Sequence, residues 1–301
     1  MIKYIKRKDL NTIKYDACIE QSIQSRIYAF SWYLDIVAEN WDVLVLGDYD
    51  AVMPIPLRKK YGIKYIYTPF WLIQLGIFTR EDENENEFLI KLFETFRFVE
   101  TRTNTRNSFS MFHLYQKKRH LQFLDLKEPY EILLSKFRRD RKKDLLKAKK
   151  NKLFVKIEYS PKNLIDLHSS NVGKRVKEFK EKDYATLTSL MKTCIKRKKG
   201  EILSVYNEEG MLVASGFFLM DKKRIVKLVS STDFNNRKNG ANTFLIERAI
   251  CRYYKGYEFF DFGGSSIESI KKFNLSFGSS IENYIELKYN NLPKLLKFFK
   301  K

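Results

Sequence analysis

Short apolar runs broken by polar turns fill two stretches of the chain. Val43–Leu46 reads as a strand, Gly47–Asp50 as a turn, and Ala51–Leu57 as a second strand. Arg58–Gly62 reads as a basic turn before a third strand, Ile63–Tyr67. Glu87–Phe96 then carries apolar residues at the three-to-four spacing of an amphipathic helix. The same order returns about 160 residues further on. Glu201–Tyr206 is a strand, Asn207–Gly210 a turn, Met211–Leu219 a strand, Asp221–Lys223 a basic turn, and Arg224–Val229 a third strand, followed by a helix over Asn242–Tyr253. A helical stretch precedes each copy, Ser31–Asn40 and Tyr184–Lys199, and a further strand closes each, Gln122–Leu126 and Asn283–Lys288. Six elements recurring in order read as an internal duplication. The expected fold class is therefore α+β (mixed α/β), each half a mixed, mainly antiparallel sheet flanked by helices. The boundaries fall at residues 1–127, 128–152 and 153–301.

Charge sets the segment between the copies apart. The chain has 301 residues, with 57 Lys plus Arg against 36 Asp plus Glu, a net charge of +21. Residues 1–127 hold 19 basic and 16 acidic side chains, whereas the 17 residues Lys136–Lys152 hold ten basic and two acidic. That stretch has no Gly or Pro, and Phe137, Leu145, Leu146 and Ala148 can form an apolar side, so it predicts one basic amphipathic helix. Its charges suit an anionic polymer, with Arg138, Arg139, Arg141, Lys142 and Lys143 as the contacts, or else form a solvated face.

Several classes are excluded by composition. An apolar share of 44% is too high for a disordered chain. Cys18, Cys194 and Cys251 stand far apart, and three histidines cannot build a multi-histidine site, so no disulfide framework and no metal are expected. The most apolar stretch, Tyr65–Phe78, is shorter than the roughly 20 residues a spanning helix needs. No secretory leader is read at the start, and the expected location is cytoplasmic.

The copies differ most where the third strand meets the helix. Copy one is acidic there, Thr79–Glu87, whereas copy two reads Ser230–Thr243, neutral to basic, with Gly240 at the helix start. A helix N-terminus offers unpaired N–H groups and a positive dipole end to a phosphate. Arg237, Lys238, Asn239, Gly240 and Ala241 are the candidate phosphate-binding residues; the alternative is a polar loop with a glycine turn. Asp261 ends a strand before Gly263-Gly264-Ser265 and is the candidate general base, or else holds the turn. Ser265 is a candidate donor to a reacting carbonyl, or a helix cap.

This organisation resembles the GNAT acyltransferases, whose acyl-CoA pyrophosphate loop reads Arg or Gln, two residues, Gly, one residue, Gly or Ala. Here Arg237-Lys-Asn-Gly240-Ala-Asn242 supplies the Arg and the Gly. Two such units in tandem look like the FemABX superfamily, which includes aminoacyl-tRNA-dependent enzymes that extend peptidoglycan side chains. Tyr257–Ser265 followed by Ile270–Gly278 is similar to that superfamily's C-terminal signature, with Asn274 at the position of the motif's lysine. The resemblance implies two tandem GNAT-like domains, the first without a donor site. It also implies acyl transfer from acyl-CoA or acetyl-CoA to an amine or hydroxyl of a small-molecule or cell-wall-precursor acceptor near Asp261–Ser266. An aminoacyl-tRNA donor gripped by the basic helix is the second expectation. A non-catalytic module that binds anionic polymers is the third. The tail Pro293–Lys301, which mixes bulky apolar and basic residues, suits weak contact with an anionic membrane surface.

Overall fold

The computed structural model describes residues 1–81, 85–175, 179–264 and 267–294, without the side chains of Arg175, Asn236 and Arg237. The chain forms two compact units, Met1–His120 with Asn283–Lys301, and Leu121–Glu282. Unit 1 runs β1 (Ile2–Lys6), α1 (Thr12–Gln21), α2 (Ser31–Val37), β2 (Asn40–Leu46), β3 (Ala51–Lys60), β4 (Ile63–Ile66), the short β5 (Phe78–Thr79), α3 (Glu85–Thr95) and β6 (Phe98–Arg102). The chain then passes through β7 (Gln116–Asp125) to α4 (Tyr130–Ser135), α5 (Arg139–Lys150), β8 (Phe154–Glu158), α6 (Lys162–Ser170) and α7 (Glu181–Lys196). Unit 2 continues with β9 (Gly200–Tyr206), β10 (Leu212–Met220), β11 (Arg224–Thr232), α8 (Ala241–Tyr253), β12 (Phe259–Gly264) and α9 (Glu268–Leu275), and β13 (Ser280–Asn290) returns to unit 1.

The repeat seen in the sequence is a repeat of topology. In unit 1, β1, β2, β3 and β4 pair antiparallel in turn, β6 joins parallel to β4, and β13 lies antiparallel to β6. In unit 2, β8, β9, β10 and β11 pair antiparallel in turn, β12 joins parallel to β11, and β7 lies antiparallel to β12.

Three expectations are corrected. The closing strands are exchanged: residues 286–290 pair with β6 of unit 1, and residues 121–125 of β7 pair with β12 of unit 2. Residues from 283 therefore group with unit 1, and the 128–152 segment with unit 2. Local pattern marks a strand but not its partner. The basic segment is also two helices, because Phe137 turns inward, is 3% exposed, and meets Phe277 edge-to-face at 5.0 Å. Arg138 is extended there and donates its N–H to Ser276 O at 2.9 Å, which no continuing helix allows. A smaller correction is that β3 runs on through the basic residues to Lys60, with the turn confined to Tyr61 and Gly62, both at positive φ.

Each unit has its own core. Unit 1 packs Phe88, Leu89 and Leu92 of α3 against Leu44, Met53, Ile55 and Val99. In unit 2 the apolar stripe of α8, Leu245, Ile246, Ala249, Ile250 and Tyr253, packs on Phe218, Ile225, Phe260 and Phe262. Strand β10 is buried from Val213 to Leu219, so its sequence does not alternate: apolar residues flank the small Ser215 and Gly216. Among the described residues no helix is long and apolar enough to cross a membrane.

His168 of α6 is buried at 4% exposure with Nδ1 3.1 Å from the Tyr184 hydroxyl, and burial pushes its pKa down to about 4. The unfolded chain, with an ordinary value of 6.5, therefore binds the proton first as pH falls. Urea unfolding should show stability declining from pH 6.5 toward 4, and His168→Gln should flatten that segment of the curve.

Candidate functional site

The site in unit 2 begins where two parallel strands part. Strand β11 pairs with β12 through Arg224↔Phe259, Ile225↔Phe260 and Val226↔Asp261, and the pairing ends there. Both strands are irregular at this level. Leu228 is an extra residue in β11 against β10, and β12 shifts register against β7 between Asp261 and Gly264, with Gly263 at φ 74°. A cavity of about 480 Å³ lies alongside the freed part of β11, lined by Lys227, Ser230, Ser231 and Thr232. Helix α8 contributes Asn242 and Thr243, α5 contributes Arg141 and Asp144, and α9 contributes Ser269, Ile270 and Phe273.

The start of α8 is held against α5. Gly240 has φ 84°, and a Cβ on it would stand 2.1 Å from the Asp144 carbonyl oxygen and 3.2 Å from the Ala148 nitrogen. The glycine thus permits both the left-handed turn and contact between backbones. Asn239 Oδ1 accepts the Ala241 N–H at 2.9 Å, and the Thr243 hydroxyl donates to Asp144 Oδ2 at 3.0 Å. Lys238 is exposed, while the Arg237 side chain and Ser265 lie outside the described residues.

Arg141 points into the cavity. Its side chain is 14% exposed, donates to Thr243 Oγ1 at 2.7 Å, and approaches Asp144 at 3.1 Å and Asp140 at 3.3 Å. The guanidinium lies 4.7 Å from the centre of the Phe273 ring, and its Nε is buried without a hydrogen-bond partner. The rest of the predicted basic set faces outward. Arg138 is exposed and pairs with Asp140, Lys142 donates to Ser135 O at 2.8 Å, and Arg139 and Lys143 are exposed. Arg138, followed by Arg141, holds the Asp140 carboxyl down at about 2.

Lys227 is the residue that sequence reasoning missed. It shares a face of β11 with Ile225, a core residue packed under α8, and its Nζ is 5.8 Å from the Phe262 ring centre. Burial lowers its pKa to about 8, against the opposing effect of the Asp261 charge. A lysine two residues after a core isoleucine in a strand was the available signal. For Arg141 the signal was helical period, because it precedes buried Ala148 by seven residues.

Asp261 is 4% exposed and does not line the cavity. Its Oδ1 accepts the Gly263 N–H at 2.8 Å, and Oδ2 stands 3.7 Å from Arg224, whose guanidinium forks onto Glu282 at 2.8 and 3.1 Å. The carboxylate holds the turn at which β12 leaves β11.

No protein-family model and no curated protein matches the sequence. Solved structures do match. FemX is 11% identical and aligns over 99% of this chain and 100% of its own, with a TM-score of 0.69. A tandem GNAT protein from the clavulanic acid biosynthesis pathway is 8% identical over 98% and 100%, with a TM-score of 0.56. L-PGS from Bacillus licheniformis is 13% identical over 95% and 94%, with a TM-score of 0.54. At these identities the likeness is one of fold: the chain has a FemABX/GNAT-like fold, an α/β architecture of mixed sheets flanked by helices.

Gly240→Ala should cost about 2–4 kcal/mol in urea unfolding, from the positive φ and the contact with the α5 backbone. A loss under 1 kcal/mol would mean that α5 can withdraw from α8.

Proposed function

We propose that unit 2 is an acyltransferase, taking an acyl group from a carrier in the cavity beside β11 and passing it to an amine or hydroxyl of a small-molecule or cell-wall-precursor acceptor. The observation that carries this reading is the end of β11–β12 pairing at Val226↔Asp261, beside a cavity that also touches the first turn of α8. A gap between parallel strands lets an extended acyl chain reach backbone groups released from the ladder, which favours near-attack geometry. The hydroxyls of Ser230 and Thr232 lie along the same wall. The likeness to FemX and to a GNAT acetyltransferase supports the same reading.

Acyl-CoA is the first donor this reading takes, with its pyrophosphate at the α8 N-terminus near Asn242 and Thr243 and with Arg237, Lys238 and Asn239 leading into that turn. A specific observation favours a second donor, aminoacyl-tRNA. The α5 backbone and the Asp144 carboxylate already stand against Gly240 and Thr243, which crowds a pyrophosphate. The outer face of that same α5 offers Arg139, Lys142 and Lys143 to a polyanion. Asp261 serves either donor by fixing the exit of β12.

Two measurements separate the donors. Binding of CoA at about 100 times its Kd adds roughly 2.7 kcal/mol, a rise in Tm of several degrees, and Asn242→Asp should abolish it by placing a negative charge in the first turn of α8. If the carrier is tRNA, the double variant Lys142→Glu/Lys143→Glu should lower affinity at least tenfold. It should also flatten the log–log salt slope by about 2, leaving any CoA shift unchanged. Polyanion binding without turnover of either donor would sink the transferase reading in favour of a binding module.

A further inference from the structure

Lys227 is out of place for a structural lysine. It sits on the inward face of β11, in line with core residue Ile225 and above the Phe262 ring, and it lines the cavity where β11 and β12 part. Among the described residues it has no ion pair or hydrogen bond at its ammonium. The charges near it are few. Arg141 and Asp144 face the cavity from α5, and they engage each other at 3.1 Å. Asp261 lies across the strand pair on the other face, committed to Gly263 and near Arg224. The residues that α8 and α9 bring to the cavity, Asn242, Thr243, Ser269, Ile270 and Phe273, are uncharged.

Resting on the acyltransferase reading, we propose that Lys227 is a catalytic residue of the transfer, the group that takes the proton from the attacking amine or hydroxyl and returns it to the leaving carrier atom. The nucleophile's lone pair forms the bond to the acyl carbon while the carbonyl π pair moves onto oxygen, and the nucleophile's proton passes to neutral Nζ. When the carbonyl re-forms, the bond to the carrier oxygen or sulfur breaks, the electron pair leaves with that atom, and the ammonium proton follows it. Lysine ends as it began, with nothing oxidised or reduced. Acid–base catalysis is most effective when the group titrates near the working pH. Burial supplies that condition by lowering Lys227 to about 8, where an exposed lysine remains almost wholly charged.

The first experiment needs no substrate. Trace labelling of the whole protein with acetic anhydride over a pH series, read by peptide mass spectrometry, measures the titration of individual lysines. Lys227 should titrate near 8, well below the ordinary 10.5. A Lys227 that titrates with the exposed lysines overturns the proposal whatever the protein transfers. The second experiment is single-turnover transfer from acetyl-CoA and from aminoacyl-tRNA. Lys227→Met and Lys227→Arg should both lose at least a hundredfold in rate, keep donor affinity within threefold, and lack the rise in rate through pH 8 expected of the wild type. Retention of rate by Lys227→Arg would overturn the proton-transfer role, because arginine keeps the charge but does not deprotonate. A wild type that transfers neither acyl group while Lys227 still titrates near 8 overturns the acyltransferase reading, and the catalytic role with it.

Discussion

Strands β11 and β12 stop pairing at Val226↔Asp261, and the site of unit 2 is built around that parting. Three parallel pairs hold the strands together, and beyond Val226↔Asp261 each strand carries an irregularity that sends it elsewhere. Unpaired strand backbone is costly when buried, so such a gap persists only where other groups over-determine it. Here Asp261 fixes the exit of β12 through Gly263, and β11 carries a bulge at Leu228 in its pairing with β10. The same parting gives Lys227 an open cavity to face instead of a closed core.

Helix α5 divides its charges by side. On its inner face Arg141 and Asp144 neutralise one another against Thr243, so the approach to α8 carries little net charge. On its outer face Arg139, Lys142 and Lys143 meet solvent. A uniformly basic helix could not have packed so closely, because burying unpaired guanidinium or ammonium groups costs several kcal/mol each. The two carboxylates within the basic run are thus what allow it to dock.

Much of the fold was legible because its elements are strongly periodic. The three antiparallel strands and the following helix in each half announce themselves by short apolar runs, turn residues and three-to-four spacing, and their recurrence exposed the duplication. Pairing between distant strands leaves no such local mark, which is why the exchange of β7 and β13 was hidden. The break at Phe137 was hidden for a related reason. The residues around it are good helix formers, and tertiary burial against Phe277 overrides them. Of the site, the loop leading into α8 could be found from Gly240, although a side chain there would meet the Asp144 backbone of α5. Lys227 was concealed because its mark, a lysine two residues after an isoleucine of the same strand, means little until the inward face of that strand is known.

The exchange of closing strands has a consequence for how the protein is made. Synthesis runs from the N-terminus, so β6 emerges long before residues 286–290, the segment that pairs along it. Unit 2 receives its corresponding strand, residues 121–125, before the rest of its own sheet has been translated. The later unit in sequence can therefore complete its sheet first, while the earlier one waits with an open edge that could pair with another nascent chain. Vectorial synthesis thus reverses the order of completion, and residues 286–290 act as the latch that ends the first unit's exposure.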